Sequence, residues 1–214
     1  MKRILPITVA IIVAHADDET LWAGGTLLGN PGWLSTVVCL CRGSDEERAG
    51  KFFNALRILN VEGVIGDLND GTDQLPLDEK ELRDVLLGLL PPKQYNLVIS
   101  HSPLGKYTRH LRHEEIGRAV IELWHAAEIT ANELWVFAYE DVNRSYVPRP
   151  AEKASEYRIL TNKELRKKYN IITRTYGFNG NSWEAKTTPG TEAFRKFTDS
   201  ADAMIWLRQS SDNS

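Results

Sequence analysis

The chain is poor in cysteine and has no excess of basic charge: two cysteines and a formal net charge of −3 over 214 residues. Two cysteines cannot supply the framework of a disulfide-stapled secreted domain. Cys39 and Cys41 sit two apart in the run Ser35 to Cys41, which would place them on one face of a strand, too close in sequence for an easy bridge. They read as small apolar core residues in a reducing compartment. The missing basic excess removes any broad attraction for nucleic acid or anionic lipid. A small molecule is therefore the expected partner, with no nucleic acid and no membrane insertion. No apolar run approaches the length of a membrane-spanning helix, and there is no internal repeat or low-complexity linker. Hydrophobic residues make up 42% and charged residues 26%, an ordinary balance for one cytoplasmic globular domain with a single sizeable core.

Met1-Lys-Arg followed by Ile4 to Ala14 has the outline of a signal peptide, with an Ala-x-Ala pattern at Ala14-His15-Ala16. The run is short, however, carries Pro6, and is rich in β-branched residues that suit a buried strand. From there, strand-like and helix-like stretches alternate. Strands are expected at Ile7 to Ala14, Ser35 to Cys41, Val61 to Ile65, Asn96 to Ser100 and Glu133 to Ala138. Helices are expected at Thr20 to Leu28, Asp45 to Leu59, Asp78 to Leu90 and Arg112 to Ala126. Such alternation predicts an α/β fold: a Rossmann-like, mostly parallel sheet flanked by helices. Beyond Asp141 the pattern loosens to a loop, a helix over Thr161 to Tyr169 and a turn at Gly177 to Asn181. The expected organisation is one domain over 1–214, with a core at 1–140 and an irregular C-terminal portion at 141–214.

Ligands of open parallel sheets bind beyond the carboxyl ends of the strands. Directly after the first strand comes His15-Ala-Asp-Asp-Glu19, four ionisable side chains in five residues. Carboxylates this close repel one another unless they are solvated or neutralised by a cation. A helix N-terminus accounts for one or two acids, not for His15 beside them. The same acids argue against a dinucleotide site, whose glycine-rich turn must admit pyrophosphate; Gly24-Gly25 falls too late and reads as a close-packing position. After the fourth strand, His101, His110 and His113 fall within thirteen residues, and His110 and His113 at a helix start can share a face. His15, Asp18 and His113 could then meet across a crevice: two imidazoles, one carboxylate and an open position, a recognised catalytic zinc set.

His15-Ala-Asp-Asp-Glu19 with His110-Leu-Arg-His113 resembles the paired signatures of the PIG-L/LmbE family of zinc-dependent de-N-acetylases, over roughly residues 7 to 140. The resemblance implies that His15, Asp18 and His113 hold the metal, Zn2+ or another divalent ion. It makes Asp17 the base that deprotonates the attacking water. His110 would stabilise the oxyanion or protonate the departing amine. Arg48, Asp70 and Tyr107 would contact substrate, while Glu19 would support the loop. The implied reaction is hydrolysis of an N-acyl group, an N-acetyl group in an amino sugar such as N-acetylglucosamine or its glycoside. The alternatives are an amidase for a non-sugar or thiol-conjugated substrate, or a catalytically silent metal- or sugar-binding relative. Two departures stand out. Ala16 replaces a proline, and Arg112 replaces the aspartate between the two later histidines, which would tend to lower the pKa of His110. His101 reads as a supporting residue more than a ligand, and Trp183 with Tyr176 as a wall for a sugar ring.

Overall fold

The computed structural model describes residues 6–211. Strands β1 (Thr8–Val13), β2 (Leu34–Cys41), β3 (Glu62–Leu68), β4 (Tyr95–Ser100) and β5 (Ala131–Phe137) alternate with helices α1 (Asp18–Gly29), α2 (Glu46–Leu59), α3 (Glu79–Leu89) and α4 (Leu111–His125). A small ribbon of β6 (Tyr139–Glu140) and β7 (Arg149–Pro150) follows, then β8 (Glu156–Ile159), α5 (Asn162–Asn170), a π-helical turn over Ile171–Thr175, α6 (Trp183–Thr187), β9 (Thr191–Phe197) and α7 (Ser200–Ser211). The main sheet has the order β3-β2-β1-β4-β5-β9-β8. Its first five strands pair in parallel, while β9 runs antiparallel to both β5 and β8. The mostly parallel α/β sheet expected from the alternation is present, and the segment expected to be the irregular C-terminal portion supplies two of its strands.

Period-two alternation distributes β1 between two cores. Ala10 and Ile12 face the layer of α3, α4 and α7, whereas Val9, Ile11 and Val13 face α1, α2 and the π-helical turn. Thr8–Val13, within the stretch resembling a signal peptide, is thus an interior strand of the sheet. The cysteines depart from expectation. The β2–β3 register shifts between Cys39 and Cys41, with the extra residue on β3, and there Cys41 faces the opposite core from Cys39. Both are buried and free.

Two features lock the helices that approach the site. Gly25 donates its amide to Glu192 Oε1 at 2.7 Å, and a Cβ there would stand 2.2 Å from Leu160. The close approach is therefore to the C-terminal segment, with Glu192 also accepting from the Thr26 amide at 2.6 Å and the Thr26 hydroxyl at 2.7 Å. Lys168 Nζ completes this fully buried cluster, 2.7 Å from Glu192. On the other side of the sheet, Gly117 lets α4 press against the chain leaving β4, where a Cβ would come within 2.5 Å of the His101 carbonyl.

Candidate metal centre

The strand order reverses between β1 and β4, and the crevice at their carboxyl ends is where an open sheet takes ligands. His15 leaves β1, His101 leaves β4, and α1 and α4 begin beside them. Neither helix uses its N-cap side chain for capping: Asp17 and His110 make no cap bond. At α2, α3 and α5, by contrast, Asp45, Asp78 and Thr161 do. Asp17 sits at φ 121°, a backbone region that L-residues avoid and that costs about 1–3 kcal/mol.

Three donor atoms form a nearly equilateral triangle. His15 Nδ1 lies 3.1 Å from His113 Nε2 and 3.3 Å from Asp18 Oδ2, and His113 Nε2 lies 3.2 Å from Asp18 Oδ2. A tetrahedral zinc about 2.0–2.1 Å from its ligands needs them roughly 3.3 Å apart, so the donor set fits a divalent ion at one face. Two other triples also lie within 4.8 Å, His15–His110–His113 and Asp18–His101–His113. The second is weaker because His101 Nε2 already accepts the Ala14 amide at 3.0 Å and its Nδ1 meets the Tyr107 hydroxyl at 2.8 Å. His101 instead stacks on His113, ring centroids 3.9 Å apart.

Each member of the triangle is oriented from behind. Asp18 Oδ1 accepts the Trp22 indole N–H at 3.1 Å, leaving Oδ2 for the triangle. His113 Nδ1 meets the Thr108 hydroxyl at 2.7 Å. His15 Nε2 stands 3.1 Å from Asp70 Oδ2 in an ion-pair contact that lacks hydrogen-bond alignment, on the side of the ring where metal-site histidines commonly meet a carboxylate. Glu19 accepts from the Asp17 amide, the Thr20 hydroxyl and the Tyr176 hydroxyl, which binds the loop together. The Asp17 carboxylate, by contrast, makes no hydrogen bond among the described residues, and it faces the cavity.

The electrostatics follow from this packing. Burial pushes the Asp17 carboxyl well above its ordinary range, and the neighbouring charges of Asp18 and Glu19 push it further. Burial works the same way on Asp18, but His113 and His101 outweigh it and hold that carboxyl low. Burial opposes a charge on His15, yet Asp18 and Asp70 lift it to about 9. His110 falls to about 4 through burial and the charges of His15 and His113. Arg112 is absent from those causes. Its guanidinium points away from His110 into the 69–75 segment, so the lowering expected from Arg112 comes instead from burial and the other histidines.

The triangle opens into a cavity of about 350 Å³ lined also by Asp17, Arg42, Arg48, Asp70, His110, Phe178 and Trp183. The structure thus gathers His15, Asp17, Asp18, Arg48, Asp70, His110 and His113 around one space. Tyr107 is not among them. It is buried behind His101 and forms the floor of a second hollow of about 510 Å³, which shares Thr108 and Trp183 with the first. Tyr176, expected as a sugar wall, is turned inward onto Glu19, whereas Phe178 and Trp183 both line the cavity. His125 lies far off, exposed near Ser200. Sequence reasoning missed Trp22 and Thr108. Trp22, one helical turn beyond Asp18, carried a readable spacing; Thr108 lies in an irregular loop and carried none.

The parallel sheet with a His/Asp cluster at its switch point defines an α/β protein with a candidate metal centre. The chain belongs to the PIG-L family: the family model described as GlcNAc-PI de-N-acetylase matches residues 10–124. Membership supports a deacetylase-type hydrolase. An uncharacterised protein of Acanthamoeba polyphaga mimivirus is 26% identical over 178 residues, covering 76% of this chain and 75% of that one. Among solved structures, the N,N'-diacetylchitobiose deacetylase from Pyrococcus horikoshii aligns with a TM-score of 0.69 at 19% identity, over 90% of this chain and 84% of its own. A deacetylase of the teicoplanin biosynthetic pathway aligns with a TM-score of 0.63 at 15% identity, over 88% and 96%. The 4-carboxy-2-hydroxymuconate hydratase GalB of Pseudomonas putida KT2440 aligns with a TM-score of 0.64 at 16% identity, over 90% and 97%. At these identities the likeness is one of fold, and that fold also carries a hydratase. Among the described residues, no helix is long and apolar enough to cross a membrane.

Proposed function

We propose that the chain is a metal-dependent hydrolase that removes an N-acetyl group from an amino sugar bearing a further substituent. The observation that carries this reading is the triangle of His15 Nδ1, Asp18 Oδ2 and His113 Nε2 with 3.1–3.3 Å edges, placed beside the unbonded carboxylate of Asp17. Held there, a divalent ion, Zn2+ in this proposal, would supply Lewis acidity, lowering the pKa of water to about 7 and polarising an acyl oxygen.

The protein's own side chains supply the rest. Asp17 faces the cavity with both carboxylate oxygens free, and its raised proton affinity suits it to take a proton from water at one of them. His110, at the opposite rim, is 4.5 Å from the His15 ring between centroids and offers an N–H to the oxyanion or to the departing amine. Arg48 lines the approach and suits polar groups of the substrate. Asp70 also lines the cavity, with its carboxylate standing against His15. Phe178 and Trp183 give the apolar wall on which the face of a sugar ring packs. The neighbouring second hollow, lined by Tyr107, Arg144, Tyr146 and Val147 and sharing Thr108 and Trp183 with the first, favours a glycoside over a free monosaccharide. Families and neighbours named for N-acetylated sugars agree with this class.

The test is metal analysis of the purified chain together with acetate release from N-acetylglucosamine and its β-glycosides. Stoichiometric metal with faster turnover of glycosides is the expected result. Metal-free protein, or no acyl release across a broad N-acyl panel, overturns the reading.

A further inference from the structure

We propose that Arg112 is a positioning residue for the metal centre, latching the 69–77 segment onto α4 and thereby holding Asp70 against His15. This rests on the metal-site reading above. Arg112 stands beside His113 on the first turn of α4, yet the two side chains leave the helix in different directions. His113 enters the triangle. Arg112 is fully buried on the other side, among backbone acceptors. Its Nε donates to the Asn69 carbonyl at 2.6 Å, its Nη2 to the Leu75 carbonyl at 2.7 Å, and its Nη1 to Glu115 Oε2 at 2.5 Å. Glu115 Oε1 in turn accepts the Leu77 amide at 2.8 Å. One guanidinium and one carboxylate, three residues apart on the helix, therefore grip the segment at three points.

Asp70 lies between the two carbonyls that Arg112 holds. Its Oδ1 accepts from Gln74 Nε2 at 3.1 Å, and its Oδ2 faces His15 Nε2 at 3.1 Å. A carboxylate this close to Nε2 favours the proton on that nitrogen and so leaves the Nδ1 lone pair for the triangle. The residue that supplies a ligand and the residue that sets the opposing ligand are thus adjacent on one rigid helix. Only the planar fork of arginine sends N–H groups in three fixed directions; a lysine ammonium cannot span both carbonyls and Glu115 at once.

Zinc affinity by chelator competition, the visible spectrum of the Co2+-substituted chain, and the melting temperature of the metal-free chain together test this. The set is wild type, Arg112→Lys, Glu115→Gln, Asp70→Asn and the two doubles with Asp70→Asn. Asp70→Asn is expected to weaken zinc binding by about 10- to 100-fold. Arg112→Lys should weaken it comparably and shift the Co2+ spectrum in the same sense. The double variant should bind no more weakly than the poorer single, because both act through one contact. Zinc binding by Arg112→Lys as tight as in wild type, or losses that multiply in the double, overturns the latch. Should Arg112→Lys fail to fold, the Glu115→Gln cycle decides on the same criteria. A wild-type chain that binds no zinc overturns the latch and the hydrolase reading together, whereas wild-type binding with multiplying losses overturns the latch alone.

Discussion

His15 Nδ1 and His113 Nε2 stand 3.1 Å apart although 98 residues separate them in the chain. The first leaves β1, the second sits on α4, and Asp18 closes the triangle from the start of α1. Replacing either histidine by alanine should abolish stoichiometric zinc binding while the fold persists. His110→Ala should retain zinc, because the His15–Asp18–His113 triangle with its 3.1–3.3 Å edges is complete without it. Metal content after dialysis, with circular dichroism for fold, checks all three. Loss of zinc from His110→Ala would reassign the ligand set.

Asp17 combines an unbonded carboxylate with a strained backbone at φ 121°. Asp17→Asn is expected to keep zinc and lose turnover by about 10²- to 10⁴-fold. Asp17→Gly should lose the same activity but melt higher. The strain released, about 1–3 kcal/mol, exceeds the entropic cost of glycine, about 0.5–1 kcal/mol. A thermal melt of the metal-free pair reads the sign directly, and a Gly variant less stable than Asn would show that the backbone carries no strain.

Trp22 donates to Asp18 Oδ1 from inside a cage with Tyr107 and Tyr139. Trp22→Phe keeps an aromatic ring in that cage and deletes only the donor and part of the volume. Zinc affinity should fall by about tenfold, measured by chelator competition, with the Asp18 carboxylate free to turn. Unchanged affinity would make Trp22 a packing residue alone.

Lys168 and Glu192 form an ion pair without solvent contact. Lys168→Met removes the cation and strands a carboxylate that the Gly25 and Thr26 amides only partly satisfy. Destabilisation of about 3–5 kcal/mol is expected, measured by denaturant unfolding of the metal-free chain. A loss under about 1 kcal/mol, the scale of an exposed pair, would show that the buried pair contributes little.

Much of this architecture is legible in the sequence because buried strands announce themselves. Val9 to Val13 alternate between two cores and are all apolar, and the five parallel strands follow the same logic. The triangle is legible too, since ionisable residues crowded at the end of a buried strand repel one another without a cation to hold them. What escapes has non-local causes. Cys41 turns to the other face where the β2–β3 register shifts, an irregularity invisible in composition. β9 is hidden because Glu192, Arg195 and Lys196 break the apolar run of a strand whose partners lie far away in sequence. Proximity in the chain makes Arg112 look like a neighbour of His110. Helical geometry instead turns it away, toward carbonyls on a loop some 40 residues earlier.

The Arg109–Asp141 ion pair, 2.6 Å long, ties the loop before α4 to the one after β6. Burial raises the Asp141 carboxyl, but the bond to Arg109 and the nearby Arg144 amide more than offset it, so its pKa is held below the ordinary value. A depressed folded pKa means stability that is present above the usual aspartate range and lost as pH falls through the folded value. Arg109→Gln should therefore flatten the acid limb of the stability curve. Urea unfolding of the metal-free chain from neutral pH down through the aspartate range checks this, and parallel curves for wild type and variant would contradict it.

The family match ends at residue 124, yet Glu192 reaches from β9 into the amides of α1, the helix that opens with Asp18. β9 thus buttresses the helix that carries Asp18. A protease cut in the exposed turn around Asn143 would leave two fragments still clasped by the β5–β9 ladder and this carboxylate, and the nicked protein would keep its histidines in register.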